Sequence, residues 1–324
     1  MSVRRTSLTL RSDAAMSPGY SQTKRMRSVE RTTNRKPSHR RSASDPFDAP
    51  DGGDLELEYK TTEFLKVFPT LLRYPVAESQ DRNCWSQPPA NEFKVRGPDY
   101  LKDSKKVPSE DFLLRARGCD LLLTENPDMF IGGNPRILAG LLRQLPSLLL
   151  NFRFPWGYLV AYFEVPEKLT PFMRGSEGDQ SILTPESMEG MTPAEVTACR
   201  FLAGDIDHKN GALKLIPAVV EGPFIVRTMV TGRPVIIGNK LPVTYDYHPA
   251  DEAGAAYLEV SLNVGNSSTA AKRIVSVCRR YMNSLTVDIG FVIQGDSADE
   301  LPEQMLGAVR LHGVDPLKAP TLAT

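Results

Sequence analysis

Acidic and histidine side chains come together densely at one place in this chain, Asp205, Asp207 and His208, in the run DIDH. Two carboxylates and an imidazole at that spacing could coordinate a metal or pass a proton in acid–base work. The run also abuts Lys209-Asn210-Gly211, where Asp and Asn are ordinary turn formers that bond their own backbone. The turn is the simpler reading, with a hydrolase built on Asp205 and Asp207 as the minor alternative. The other histidines are His39, His248 and His312, and no G-x-S-x-G, P-loop, H-E-x-x-H or G-x-G-x-x-G occurs. Catalysis is therefore not expected. Cys84, Cys119, Cys199 and Cys278 lie at least 35 positions apart, with no C-x-x-C. That spacing argues against a structural zinc site and a disulfide framework and points to a reducing, cytoplasmic setting. No metal or cofactor is expected.

Basic residues are better placed for a function. Arg96, Lys102, Lys105 and Lys106 surround the Gly97-Pro98 bend. Such a cluster can grip a phosphorylated headgroup through charge-assisted hydrogen bonds, although Asp99 and Asp103 beside it also permit simple local ion pairing. Lys272, Arg273, Arg279 and Arg280 form a second group. They lie opposite an apolar stripe and read either as a solvated face or as a seat for an anionic surface. Glu221-Gly222-Pro223 reads as a tight turn.

Charge also divides the chain. Residues 1–50 hold eleven basic and four acidic residues, a net of +7, so the neutral total leaves residues 51–324 at −7. The first segment is rich in Ser, Thr and Arg and almost lacks branched aliphatics, the composition of a disordered arm. Its start, MSVRRTSLTLR, has some organelle-transit character, but the basic segment runs on far beyond it. Together with the acidic linker DAPDGGDLELE, the arm occupies 1–58. Within it, Arg41-Ser42-Ala43-Ser44-Asp45-Pro46 follows an R-S-x-S-x-P pattern that resembles a 14-3-3 docking site. Ser44 would be the phosphoacceptor, Ser42 a second target, and Arg41 and Pro46 the flanking determinants. A basic arm can also approach an anionic membrane. Nucleic acid is the weaker partner, because Tyr20 is the only aromatic residue before Phe47.

The elements that would position these groups follow from periodicity. No apolar run reaches the ~20 residues a membrane span requires; the longest, Leu148–Phe163, is broken by Asn151, Arg153, Pro155 and Gly157. Residues 60–74 have a helical period interrupted by Pro69, residues 85–106 are extended and turn-rich, and 137–150 begin helix-like. Residues 156–165 read as a strand. Residues 167–197, polar and marked by three Thr-Pro pairs, read as a long exposed insertion. Sheet-like patterning resumes at 198–206 and 213–216. Residues 258–264 and 287–293 alternate as half-buried strands. Between them lies a helix, 269–285, whose stripe Ile274, Val277, Cys278, Tyr281, Met282 and Leu285 should contact the sheet, with Ser267 or Ser268 as N-cap. A short helix is expected at 300–306, ended by Gly307. The fold class is α+β: a mostly antiparallel β-sheet with a few packed helices, forming a single domain over 60–318.

Four motifs carry a resemblance beyond these patterns: Val95-Arg96-Gly97 with Tyr100-Leu101, Asp103 and Lys106; Lys214-Leu215-Ile216-Pro217 with Glu221-Gly222-Pro223; Tyr257-Leu258-Glu259 with Gly265 and Ser267; and Glu300-Leu301-Pro302-Glu303 with Leu306-Gly307 and Val309-Arg310. In this order they resemble the C-terminal domain of the plant enhanced disease resistance 2 proteins, from Trp85 to about Asp315. In those proteins the domain follows a pleckstrin-homology domain and a START lipid-transfer domain, and residues 1–84 contain no counterpart of either. The resemblance implies a role near membranes and lipids, in defence or cell-death signalling. The expected function is therefore a non-enzymatic lipid- or membrane-associated domain with a phosphorylatable tail. The alternative is a protein-binding signalling scaffold.

Overall fold

The computed structural model describes residues 70–75 and 81–322, all within the unit Asp51–Thr324. The basic arm with Arg41, Ser42, Ser44 and Pro46, the linker, and residues 60–69 of the expected first helix lie outside the described residues.

The strands run in chain order β1 (Leu72–Arg73), β2 (Cys84–Ser86), β3 (Lys94–Arg96), β4 (Lys106–Pro108), β5 (Arg115–Leu123), β6 (Ser147–Phe154) and β7 (Gly157–Glu164). They continue as β8 (Leu213–Glu221), β9 (Val235–Ile236), β10 (Val243–His248), β11 (Tyr257–Asn263), β12 (Thr286–Ile293) and β13 (Met305–His312). One sheet has the order β1-β2-β13-β12-β8-β9 and a second the order β10-β11-β6-β7-β5; β3 and β4 form a separate ribbon. The pairings are antiparallel except β1 with β2 and β6 with β11.

Period-two alternation sorts the strand side chains into layers. On β6 and β7, Leu148, Leu150, Phe152, Leu159, Ala161 and Phe163 enter the main core between the two large sheets. There Phe291 of β12 sits 6.1 Å, ring to ring, from both Phe152 and Phe163. The alternate residues Leu149, Tyr158, Val160 and Tyr162 face a second cluster closed by Ile131, Ile137, Leu138 and Leu142. On the far face of the first sheet, Ile216, Val292, Met305 and Ala308 meet Phe93 and Val95 beneath the β3–β4 ribbon. Both large sheets are thus covered on both sides, which explains their nearly continuous apolar strands. This is the expected α+β architecture with mostly antiparallel sheets.

Several local expectations change. Residues 258–264 and 287–293 are not half-buried. Glu259 and Ser261 of β11 and Asp288 of β12 lie inside, because a second layer covers the face expected to meet water. Residues 198–206 are largely helical. The helices are α1 (Tyr100–Asp103), α2 (Gly140–Gln144), α3 (Pro193–Ala203), α4 (Ile206–Ala212), α5 (Phe224–Met229) and α6 (Thr269–Tyr281). Thr192 and Glu195 form a capping box at the start of α3 with Pro193 just inside it. Ala198, Cys199, Phe201, Leu202 and Ala203 are all in the main core, so burial on several sides removed the helical period. Residues 167–197 are not simply an exposed insertion: Leu169, Phe172 and Met173 are buried against the same core. In 137–150 the helix is only the five residues of α2, and β6 takes over at Ser147.

No α-helix forms at 300–306. A 3-10 turn ends at Glu300 and β13 starts at Met305. Gly307 is not a helix stop. A Cβ there would lie 2.6 Å from the Phe163 ring, so glycine is what lets β13 approach β7.

Helix α6 is capped by Ser268, whose hydroxyl accepts from the Ala271 N–H. Its contact face is broader than the expected one. Met282 packs on the main core and Leu285 is buried, as the stripe requires, but Val275 packs there as well, and Ile274, Val275, Val277 and Tyr281 are all half-buried. Ile274→Ala should therefore cost about 1 kcal/mol and exposed Lys272→Ala under about 0.5 kcal/mol, with Val275→Ala costlier than either, as read by urea denaturation. Equal losses at all three positions would refute this orientation.

Candidate functional site: a basic cleft beside the β3–β4 ribbon

The β3–β4 register brings cations together. Lys94 pairs with Pro108, Val95 with Val107, and Arg96 with Lys106. Residues two apart on a strand share a face, as do directly opposed residues of an antiparallel pair. Lys94, Arg96 and Lys106 thus project on one side while Val95, on the other, enters the apolar cluster beneath. Sequence alternation makes one ribbon basic above and apolar below.

That basic side forms one wall of an open cleft of about 440 Å³, which Lys214 and Ile216 of β8, Val235 and Ile236 of β9, Val292, Lys240 and Glu303 also line. Five basic side chains meet one carboxylate there. Glu303 is buried and accepts from Lys214 Nζ at 2.6 Å, from the Gly295 N–H at 3.0 Å and from the Arg96 N–H at 3.2 Å. Burial lowers the Lys214 pKa, and the Glu303 charge opposes that shift. The same carboxylate lies 3.6 Å from Arg96 Nε, so Glu303 is shared by two cations. Arg96 is held by the Gly295 carbonyl at 2.7 Å and by Gln294 at 3.3 Å, and its guanidinium lies 4.9 Å from the Tyr100 ring centroid. Exposed Asp296 is 3.5 Å away. Lys94, Lys106 and Lys240 are exposed and form no ion pair among the described residues. The cleft thus combines a fixed guanidinium, three free ammonium groups and an apolar floor. It suits a phosphate-bearing group attached to an apolar body.

Two of the four cations expected around the bend belong to this cleft, Arg96 and Lys106. Lys102 and Lys105 do not. They pair locally with Asp99 at 3.2 Å and Asp103 at 3.4 Å on the exposed turn formed by α1. The period of the ribbon could have singled out Lys94, two residues before Arg96. Lys214 was visible as part of a motif but not as a wall residue, and nothing local marks Lys240. Of the α6 cations, Arg279 lies 4.2 Å from the Trp156 ring centroid, while Lys272, Arg273 and Arg280 are exposed. The DIDH run starts α4. Asp205 caps α4 through the His208 N–H at 2.9 Å, and Lys209 donates to the Arg174, Gly175 and Gly204 carbonyls. Burial lowers the Lys209 pKa to about 8. Among the described residues no group of three His, Cys, Asp or Glu side chains could hold a metal, and no helix is long and apolar enough to cross a membrane.

Comparison with protein families places this architecture. The family model described as "Protein ENHANCED DISEASE RESISTANCE 2, C-terminal" matches residues 85–315. The chain belongs to that family. An Arabidopsis thaliana protein named "Protein ENHANCED DISEASE RESISTANCE 2-like" is 30% identical over 274 residues, covering 81% of this chain and 34% of its own length. The chain thus spans about a third of that relative. No solved structure matches it. All the cleft residues, Lys94 to Glu303, fall inside the family-matched region.

Proposed function

We propose that this enhanced disease resistance 2 C-terminal domain is a non-enzymatic binding domain that takes an anionic lipid headgroup in the basic cleft. Its role would be regulatory and membrane-associated, in the disease-resistance setting that its relative's name indicates. The carrying observation is that Lys94, Lys106 and Lys240, beside Arg96, form no ion pair among the described residues, on a body whose net charge is −7. Isolated like charges held around an apolar floor repel one another unless an anion joins them. The tail completes the reading. Phosphorylation of Ser42 and Ser44 would add roughly −1.5 to −2 per site beside Arg40 and Arg41, weakening attraction to an anionic leaflet while creating a 14-3-3 docking site.

The test is calorimetric titration of the full chain with a soluble inositol bisphosphate, with inorganic phosphate as a second arm. Lys94→Ala/Lys106→Ala/Lys240→Ala should weaken headgroup binding by at least about tenfold, since contacts to charged groups each contribute about 1.5–3 kcal/mol. Lys102→Ala/Lys105→Ala should leave it unchanged. Wild-type protein that binds neither probe would overturn the cleft reading and leave the protein-binding scaffold.

A further inference from the structure

Seven cations fall in two stretches without a single acid. No Asp or Glu occurs from Gly222 to Tyr245 or from Val260 to Val287, while Arg227, Arg233, Lys240, Lys272, Arg273, Arg279 and Arg280 do. The fold joins these stretches, because α5 packs against α6. The contact begins at Gly222, whose φ is +148°. A Cβ there would lie 2.3 Å from Leu285 Cδ2, so the chain turns directly against the segment that follows α6. Glycine makes that turn readily, because side chains rarely tolerate a φ of this sign.

Immediately after the turn, α5 presents its apolar residues the wrong way for a soluble surface. Val226 is fully buried and anchors the helix, but Phe224 is 80% exposed and Ile225 50%, with Val220 at the end of β8 41% exposed. Arg227 on α5 and Lys272, Arg273 and Arg280 on the adjoining α6 are exposed and form no ion pair among the described residues. Lys272 and Arg273 lie about 10 Å along α6 from Arg279 and Arg280. One carboxylate, Glu221, stands at the rim, 3.5 Å from Thr286 Oγ1.

We infer that the α5–α6 surface docks on an anionic bilayer, with Phe224 and Ile225 entering the headgroup–acyl boundary and the α6 cations meeting lipid phosphates and carboxylates. An exposed aromatic and an exposed aliphatic side chain on a helix packed against a cationic one match an interface that is apolar within and negative at its surface. A protein partner would need about 800 Å² of complementary surface per side, whereas the exposed apolar wedge here is Phe224, Ile225 and Val220. The charge of the α5–α6 surface opposes that of the body carrying it, so the field favours one orientation at a membrane. The inference deepens the membrane part of the function proposed above by naming the contact surface. It does not depend on occupancy of the cleft.

The test uses the full chain, with vesicles of phosphatidylcholine and phosphatidylserine whose acyl chains carry bromine. Phe224→Trp places an indole at the wedge, so the readout is local and separate from any attraction of the basic arm. Its emission should shift to the blue and be quenched by the brominated chains, beyond the response of Trp85 and Trp156 in the wild type. Phe224→Ser/Ile225→Ser should weaken vesicle partitioning on the order of tenfold with the melting temperature unchanged, both side chains being exposed. Arg273→Glu/Arg280→Glu should do the same and reduce its salt dependence, leaving the share carried by the basic arm. An introduced indole that stays unquenched on bound vesicles overturns the inference. So does a wedge variant that binds as well as the wild type, or one that instead loses self-association by native mass spectrometry. Soluble headgroup titration reports on the cleft separately, since the wedge variant should retain it.

Discussion

Glu303→Ala should lower the unfolding free energy by about 3–5 kcal/mol, the loss expected when one partner of a buried ion pair is removed. The Lys214 side chain is 7% exposed and Glu303 2% exposed, and their charged atoms are 2.6 Å apart. Removing the carboxylate leaves an ammonium that already titrates low because of burial, and strands the Arg96 and Gly295 N–H groups. Lys214→Met/Glu303→Leu should recover most of the loss, because two apolar side chains replace two desolvated charges. Urea denaturation at neutral pH measures both. A mild effect of the single change would mean that water reaches Lys214 and that the cleft floor is wetter than described. The same contacts hold the Arg96 backbone, so Glu303→Ala should also blunt headgroup binding, whereas the lysine triple variant should blunt binding without this loss of stability.

Glu259→Ala should be comparably severe, about 3 kcal/mol or more, because three donors lose one acceptor. The Glu259 carboxylate is fully buried and accepts from the Gly132 N–H at 2.7 Å, the Ile131 N–H at 2.9 Å and Asn151 Nδ2 at 2.8 Å. It ties the loop before α2 to the middle of the second sheet. Without it the loop that closes the Ile131, Ile137 and Leu142 cluster should open, and amide hydrogen exchange at 131–138 should rise with the drop in stability. Unchanged protection there would refute the clamp.

This face also gives stability a pH dependence. Burial pushes the Glu259 carboxyl above its ordinary range and Asp120 up to about 6, the latter despite donation from the Tyr162 hydroxyl at 2.6 Å. A folded pKa above the unfolded value means the folded state holds the proton more tightly. The contribution of Asp120 to stability should therefore fall as pH rises from about 4 to about 6 and then level off, by roughly 3 kcal/mol for its two-unit shift. Asp120→Asn should flatten that limb.

Strand alternation, the Ser268 cap and the Gly222 turn are local properties, and the sequence alone determined them. The class of fold and the family followed from such segments and from motifs read in order. Residues 198–206, 258–264 and 300–306 depart from their sequence pattern for a shared reason. Periodicity reports one wet face, and here a second layer removes it: α3 is buried on several sides, Glu259 lies under a loop, and Gly307 accommodates Phe163 from the other sheet. The bend at Gly97-Pro98 pointed to Arg96 and Lys106, because adjacency on one ribbon is local. It also included Lys102 and Lys105, because charge in sequence does not reveal which cations already have partners. Lys214 and Lys240 joined the cleft only once β8 and the segment after β9 packed beside the ribbon. Likewise, the basic stripe of α6 was legible, but its pairing with the exposed Phe224 and Ile225 depended on α5 folding back across it. Tertiary structure decided these placements because a site built from distant segments exists only after their backbones meet, and no short-range pattern encodes that meeting.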